Sequence, residues 1–217
     1  MNPRPPLSSI VLGAACTAAA SLGLAFAAPA SITVDAANPG HAVAPTLWGI
    51  FFEDINLSAD GGLYAELVRN RSFEDSDKPE QWTLVTRAGA EGTIAVTDEK
   101  PMAADPQRSL NRRSLRLDVT KASDGGAVGV ANGGYWGVPV KQGEEYQLTL
   151  SARTASPKAD LAVALESADG KSYASAKVTG LKAEWGTFKA TLKPNATDTN
   201  ARLVVTASRP GTIWLDM

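Results

Sequence analysis

From about residue 75 onward the chain repeats one pattern that few folds can accommodate: apolar and polar residues alternate with a period of two. Leu115, Leu117 and Val119 alternate with Ser114, Arg116 and Asp118. Tyr146, Leu148, Leu150 and Ala152 do the same, as do Leu161, Val163 and Leu165, then Phe188, Ala190 and Leu192. Leu203 and Val205, then Ile213 and Leu215, complete the set. Neighbouring side chains on a strand point to opposite faces, so each run offers one face to a core and the other to water. Turn residues separate the runs: Lys141-Gln142-Gly143, Asp169-Gly170, Lys193-Pro194-Asn195 and Arg209-Pro210-Gly211. Many short strands, regular turns and no helical stretch predict an antiparallel β-sandwich.

The other end of the chain is built differently. Arg4 is followed by an uncharged stretch over 7–27 that closes on Ala25-Phe26-Ala27, a small-x-small cleavage pattern. This reads as a secretory signal peptide covering 1–27, so the mature protein is expected to be secreted or periplasmic. The competing reading is a membrane anchor, but Ala, Ser, Thr and Gly make the stretch only weakly apolar. The one cysteine, Cys16, lies inside it. The mature chain then has no disulfide and must hold itself together by its own core. A formal net charge of −2 with no basic stripe argues against nucleic acid, and no long internal apolar run argues for a membrane span. His41 is the single histidine, which removes Ser-His-Asp chemistry and histidine metal clusters. Asn195-Ala-Thr fits a glycosylation acceptor, while the Gly pairs at 61–62 and 133–134 lack the context of a phosphate loop.

Between these parts, alternation predicts a short strand over 31–36. The run LWGIFF at 47–52 predicts a second strand, apolar on both faces as a buried parallel strand would be. Asp60 is placed to cap a helix whose core face would carry Leu63, Tyr64, Leu67 and Val68. Strand, loop and helix make the opening unit of an α/β fold, where sites form at the carboxyl ends of strands. Glu53 and Asp54 sit at such a tip. Adjacent strand residues face opposite ways, so these two cannot form a glycosidase dyad, whose carboxyl groups must face each other across the scissile bond. One of them can enter a pocket; both can equally be solvated loop residues.

The whole segment WGIFFEDINLSADGGLYAELVRNRSFE, from Trp48 to Glu74, closely resembles the opening barrel segment of α-L-arabinofuranosidases of glycoside hydrolase family 51. The resemblance implies the first strand and loop of a (β/α)8 barrel, with Glu53 in the arabinose pocket and Asp54 and Asn56 in the same motif. It also implies that the acid/base and nucleophile are glutamates on later strands, downstream of Met217. The chain is therefore expected to be the N-terminal part of a retaining enzyme that releases arabinofuranose from plant polysaccharides such as arabinoxylan or arabinan, inactive by itself and needing no cofactor.

The run from Phe73 to Met217 is similar to carbohydrate-binding modules of families 4 and 9, a jelly-roll type. The resemblance rests on NRSFE, Trp82, SLRLDV, VKQGEEYQLTLSAR, WGTFKATL and GTIWLDM, in that order. The expected organisation is thus a signal peptide (1–27), an incomplete barrel start (28–72), and a jelly-roll sandwich (73–217) inserted after the first β/α unit of a barrel otherwise absent. Sugar rings lay their C–H faces on exposed aromatic planes, which singles out Tyr135 and Trp136 between Gly133-Gly134 and Gly137. Trp82 and Trp185, at strand starts, are expected in the core. Such modules often carry a structural calcium, and Glu74 and Asp216 match the acidic positions concerned; oxygen ligands suit it. The rival readings are a stand-alone secreted carbohydrate-binding module and a surface protein without a ligand.

Overall fold

A computed structural model describes residues 31–38, 40–42, 44–47, 49, 53, 55–99, 111–156 and 159–217. The chain folds as two compact units, Met1–Phe51 and Phe52–Met217. Among the described residues of the first unit there is a single 3-10 turn, Pro45–Leu47. The strand expected over 31–36 does not form: the segment joins no sheet and then turns at 36–38. Ile32 and Val34 are more than four-fifths exposed, and a strand without a neighbour satisfies none of its backbone groups. Asp35 instead closes a local turn, accepting from Ala37 N at 3.1 Å and Asn38 Nδ2 at 2.7 Å. These two donors, Asn38 first, hold its carboxyl below the usual carboxylate range. The strand expected over 47–52 lies almost wholly outside the described residues, as does Asp54.

The helix expected from Asp60 is also absent. The chain makes a 3-10 turn at Ile55–Leu57, with Asn56 left-handed at φ 54°, then a tight loop bridged from Asp60 to Tyr64. Two glycines at 61–62 weaken a helix start, and the would-be core face finds no cover: Leu63 is 81 % exposed. The Asp60 carboxylate binds Arg71 rather than backbone amides.

The second unit is the sandwich. Its strands are β1 (Trp82–Arg87), β2 (Glu91–Thr97), β3 (Ser114–Lys121), β4 (Ala127–Asn132), β5 (Val138–Val140), β6 (Tyr146–Thr154), β7 (Leu161–Glu166), β8 (Ser172–Val178), β9 (Gly186–Leu192), β10 (Asp198–Ala207) and β11 (Gly211–Asp216). The first sheet runs β1-β4-β10-β7-β8, with β5 pairing on β10, and the second runs β2-β3-β11-β6-β9. All pairings are antiparallel. The alternating residues named above fill the space between the sheets: Leu115, Leu117, Leu150, Ile213 and Leu215 face Val128, Val130, Leu161, Val163 and Val205, each at most 2 % exposed. Each such side chain contributes about 1.5–3 kcal/mol by leaving water. Phe73 plugs one end, fully buried, with its ring centroid 5.3 Å from that of Trp82. Trp82 is buried as expected, and its Nε1 donates to Asn70 O at 3.0 Å.

The outer face of the first sheet is bowed. Arg87 pairs in register with Ala127 at one end of the sheet, whereas Glu166, three strands over on β7, pairs with Arg202 at the other end. On a flat sheet their Cα atoms would stand roughly 20 Å apart, beyond the reach of the two side chains. Yet Arg87 Nη2 lies 2.6 Å from both Glu166 oxygens, and Arg202 Nη2 is 3.7 Å away. The face must be concave for the pair to close. Its floor confirms the shape: Ala131, Val204 and Thr206 point outward but are at most 7 % exposed. At the floor's centre a Cβ on Gly129 would sit 2.0 Å from Val205 O, so only glycine fits there.

Candidate functional site

Asn132 ends β4 and locks the loop that follows. It is fully buried; its Oδ1 accepts from Gly134 N at 2.8 Å and Arg69 N at 3.3 Å, and its Nδ2 donates to Arg69 O at 2.8 Å. Gly137 N closes the turn onto Gly133 O at 3.0 Å. Gly137 has φ 98° and would bring a Cβ within 2.5 Å of Thr199 O, so this corner requires glycine. The loop therefore presents Tyr135 and Trp136 on a fixed base. Trp136 is 70 % exposed, with its ring centroid 6.1 Å from that of Tyr135.

Tyr135 lies on the loop that replaced the expected helix. Its ring packs so close to Gly61 that a Cβ there would meet it at 2.6 Å. Burial raises the Tyr135 phenol above its ordinary value, and the Asp60 carboxylate adds to the rise. Arg71 ties the same loop together: Nη1 donates to Asp60 Oδ2 at 2.8 Å, Nε lies 3.7 Å from Glu66 Oε2, and Cζ stands 5.9 Å from the Tyr64 ring centroid. The hydrogen bond it donates to Asp60 holds the guanidinium pKa above its usual value. The result is an exposed tryptophan and a half-buried tyrosine beside fixed carboxylates and a cation. Stacking and hydroxyl hydrogen bonding are both available there.

Glu53 and Asn56 are exposed and lie just before this loop in the chain; among the described residues no hydrogen bond joins either side chain to Tyr135 or Trp136. Glu53 takes part through its carbonyl, which accepts from Ile55 N and Ser58 Oγ. Glu74 and Asp216, by contrast, are brought together. Asp216 is 8 % exposed and its Oδ1 has no hydrogen-bond partner. Burial, against a bond from Met217 N and with repulsion from Glu74, pushes its carboxyl up to about 7. Glu74 Oε1 accepts from Arg113 N at 2.7 Å and from Arg112 N. Two close carboxylates with one orphaned oxygen suit an oxygen-ligated cation, although no set of three acidic, histidine or cysteine side chains gathers among the described residues. Backbone carbonyls or water would have to complete the shell.

The sequence reading missed a row across the outer face of the second sheet. Trp214 is paired in register with Arg116 on β3 and Arg153 on β6. The Arg153 guanidinium carbon lies 3.8 Å from the Trp214 ring centroid and 5.7 Å from that of Trp185; Arg116 is 5.9 Å from Trp214. Trp185 was expected in the core and is instead half-buried on this outer row. The residues are legible as Trp and Arg in alternating strands, but only the register aligns them.

Comparison with known proteins bears on what this sandwich is. A family model described as a carbohydrate binding domain matches residues 65–211. The chain belongs to the carbohydrate binding domain family. Its match covers β1 to β10 and reaches only the first residue of β11, Gly211. This carbohydrate binding domain has curated relatives named α-L-arabinofuranosidase. It is 37 % identical to "Alpha-L-arabinofuranosidase 1" of Arabidopsis thaliana over 86 % of the chain and 28 % of that protein. It is 40 % identical to "Extracellular exo-alpha-L-arabinofuranosidase" of Streptomyces chartreusis over 82 % of the chain and 20 % of that protein. A solved arabinose-bound α-L-arabinofuranosidase of family 51 superposes with TM-score 0.66 at 30 % identity, over 83 % of this chain and 30 % of the other. The resemblance to family 51 and to the binding modules is thus borne out, as is the sandwich. The chain spans less than a third of the length of these relatives. Among the described residues no helix is long and apolar enough to cross a membrane.

Proposed function

We propose that this chain is the glycan-holding part of a secreted α-L-arabinofuranosidase acting on arabinose-containing plant polysaccharide. In this reading Tyr135 and Trp136 seat a sugar ring, and Glu53, with Asp54 and Asn56, contributes to an arabinose pocket completed by residues outside this sequence. The single observation that carries the binding role is Trp136, 70 % exposed on a loop fixed from beneath by buried Asn132. A large apolar side chain held out in water on a rigid base is expected to have a ligand. Trp136→Ala should lose most of the retention on arabinoxylan or arabinan in affinity electrophoresis, about tenfold in affinity if stacking supplies roughly 1.4 kcal/mol. Unchanged mobility with a native circular-dichroism spectrum would remove the assignment.

Retention of configuration at the anomeric carbon needs two facing carboxyl groups about 5 Å apart. Neither Glu53 nor Glu74 is offered as one of these. Purified chain is therefore expected to release no p-nitrophenol from the corresponding arabinofuranoside, and measurable release would refute this part of the reading. A second reading, binding without catalysis, is favoured by the way the second unit closes its core with its own residues.

Glu74 and Asp216 would hold a structural calcium, which would supply positive charge where two carboxylates meet and tie the 70–74 segment to β11. Calcium should then raise the melting temperature and chelator lower it; identical melting curves in both would dismiss the ion.

A further inference from the structure

The concave face of the first sheet has two ends, and the ion pair Arg87–Glu166 runs between them. The Tyr135–Trp136 loop follows Asn132 at one end. At the other, where β4 begins and β10 ends, lies a cleft of about 550 Å³ floored by Gly126, Ala162 and Thr206. Its walls carry Asp124, Asp160, Lys177 and Arg209. Nothing in the carbohydrate-binding reading so far uses it.

Those four charged groups are all exposed. Two acids and two bases line one cleft, yet none makes an ion pair or hydrogen bond with any described residue. The volume lies within the usual range for a small-molecule site. The signs balance, so a charged ligand gains from one pair what it loses to the other. A neutral guest bearing several hydroxyls does better, because each hydroxyl can donate to Asp124 or Asp160 and accept from Lys177 or Arg209. No aromatic ring lines the cleft, so recognition there is by hydrogen bonds and not by stacking.

The two ends are not one groove. They lie roughly 20 Å apart along β4. Between them Glu166, 1 % exposed, is clasped by Arg87 across the face, with Arg202 beside it. A sugar chain laid along the face would have to break that pair. We propose that the cleft is a second glycan site for a neutral sugar unit, independent of the Tyr135–Trp136 platform. The proposal rests on the chain's being a carbohydrate binder but not on the aromatic platform. Two weak sites on one domain also account for how such a module could grip a branched polysaccharide, since a second contact made at high effective concentration multiplies the first.

Amide-resolved NMR titration of the full chain with α-1,5-arabinotriose and with xylotriose separates the possibilities. A neutral trisaccharide should shift the Gly125, Gly126 and Ala162 amides. Asp124→Ala with Asp160→Ala, both exposed and with no side-chain bond to another described residue, should weaken that response roughly tenfold. The same double variant should leave any response at Gly134 and Trp136 unchanged, and Trp136→Ala should leave the cleft response unchanged. Shifts at Gly133–Gly137 alone would overturn the cleft and keep the platform. Shifts at the cleft alone would uphold the cleft and remove the platform. No shift at either with millimolar sugar would overturn both. A cleft that answers only to trigalacturonic acid would overturn the inference that its guest is neutral.

Discussion

Arg87→Ala should cost about 3–5 kcal/mol of folding free energy, more than its position on an edge strand suggests. The reason is what it leaves behind. Glu166 keeps a side chain 1 % exposed, and Arg202, 3.7 Å away, is then the one cation paired with it among the described residues. A carboxylate cannot be left dry and half-paired without losing most of its solvation, which its partner had offset. Arg87 itself is 40 % exposed and can return to water, so Glu166→Ala should cost less than Arg87→Ala. Combining the two should return part of the loss, because the stranded charge is gone. Urea unfolding of the two single variants and the double variant gives the coupling energy. Strictly additive losses would show that the pair does not act as a unit. Because the pair also holds the two ends of the bowed face together, the single variants should flatten the sheet and widen the face.

That face also explains which strands could be read beforehand and which could not. β3, β6, β7 and β9 each have one face in the core and one toward water, so alternation announces them. β4 reads AVGVAN, and five of its six residues are buried. Its outward positions are Ala127, Gly129 and Ala131, small because the concave floor lies beneath a charge pair. A strand buried on both sides in an antiparallel sheet defeats the rule that doubly apolar means parallel. The outer residues of β10, Val204 and Thr206, break the alternation for the same reason. β1, β5 and β8 were lost to mixed or small residues such as Ser175 and Ala176.

The opposite failure occurred before residue 70. The apolar pattern at 60–68 is a good amphipathic helix pattern, and Ile32 and Val34 alternate as a strand should. Periodicity states which face wants a partner; it does not supply one. Among the described residues, Leu63, Tyr64 and Val34 remain exposed, and the backbone settles into local turns held by Asp35, Ser58 and Asp60. The candidate platform was legible for a different reason. Gly133-Gly134-Tyr135-Trp136-Gly137 is a run whose glycines fix the turn and leave the aromatics no core to enter. Asn132, which anchors it, carried no signal, because a buried asparagine is recognisable only from the three hydrogen bonds it makes. The cleft wall was illegible too: its charges come from three separate connections and from strand β8, which only the sheet order brings together.

Asp216→Asn should stabilise the protein in chelator at pH 8, by up to about 4 kcal/mol. The sign follows from the carboxyl's two environments. In the folded chain burial pushes its pKa up to about 7, with Glu74 adding repulsion, while the ordinary value is 3.8. Between those values the folded state holds a proton that the unfolded state has released. Stability therefore falls as pH rises through this window and levels off above it. Asparagine keeps the shape and hydrogen-bonding capacity and removes the ionisation, so the variant should show little of the decline. Melting curves at pH 4.5, 6 and 8 in chelator test this directly, and a wild-type stability that rises across the window would reverse the assignment. Calcium turns the comparison into a second test. A cation bound by Glu74 and Asp216 would stabilise the ionised form, cancel the wild-type decline and leave Asp216→Asn unaffected. If wild type and variant gain equally from calcium, the ion sits elsewhere, and the paired carboxylates near the end of β11 are a strained contact with no ligand of their own.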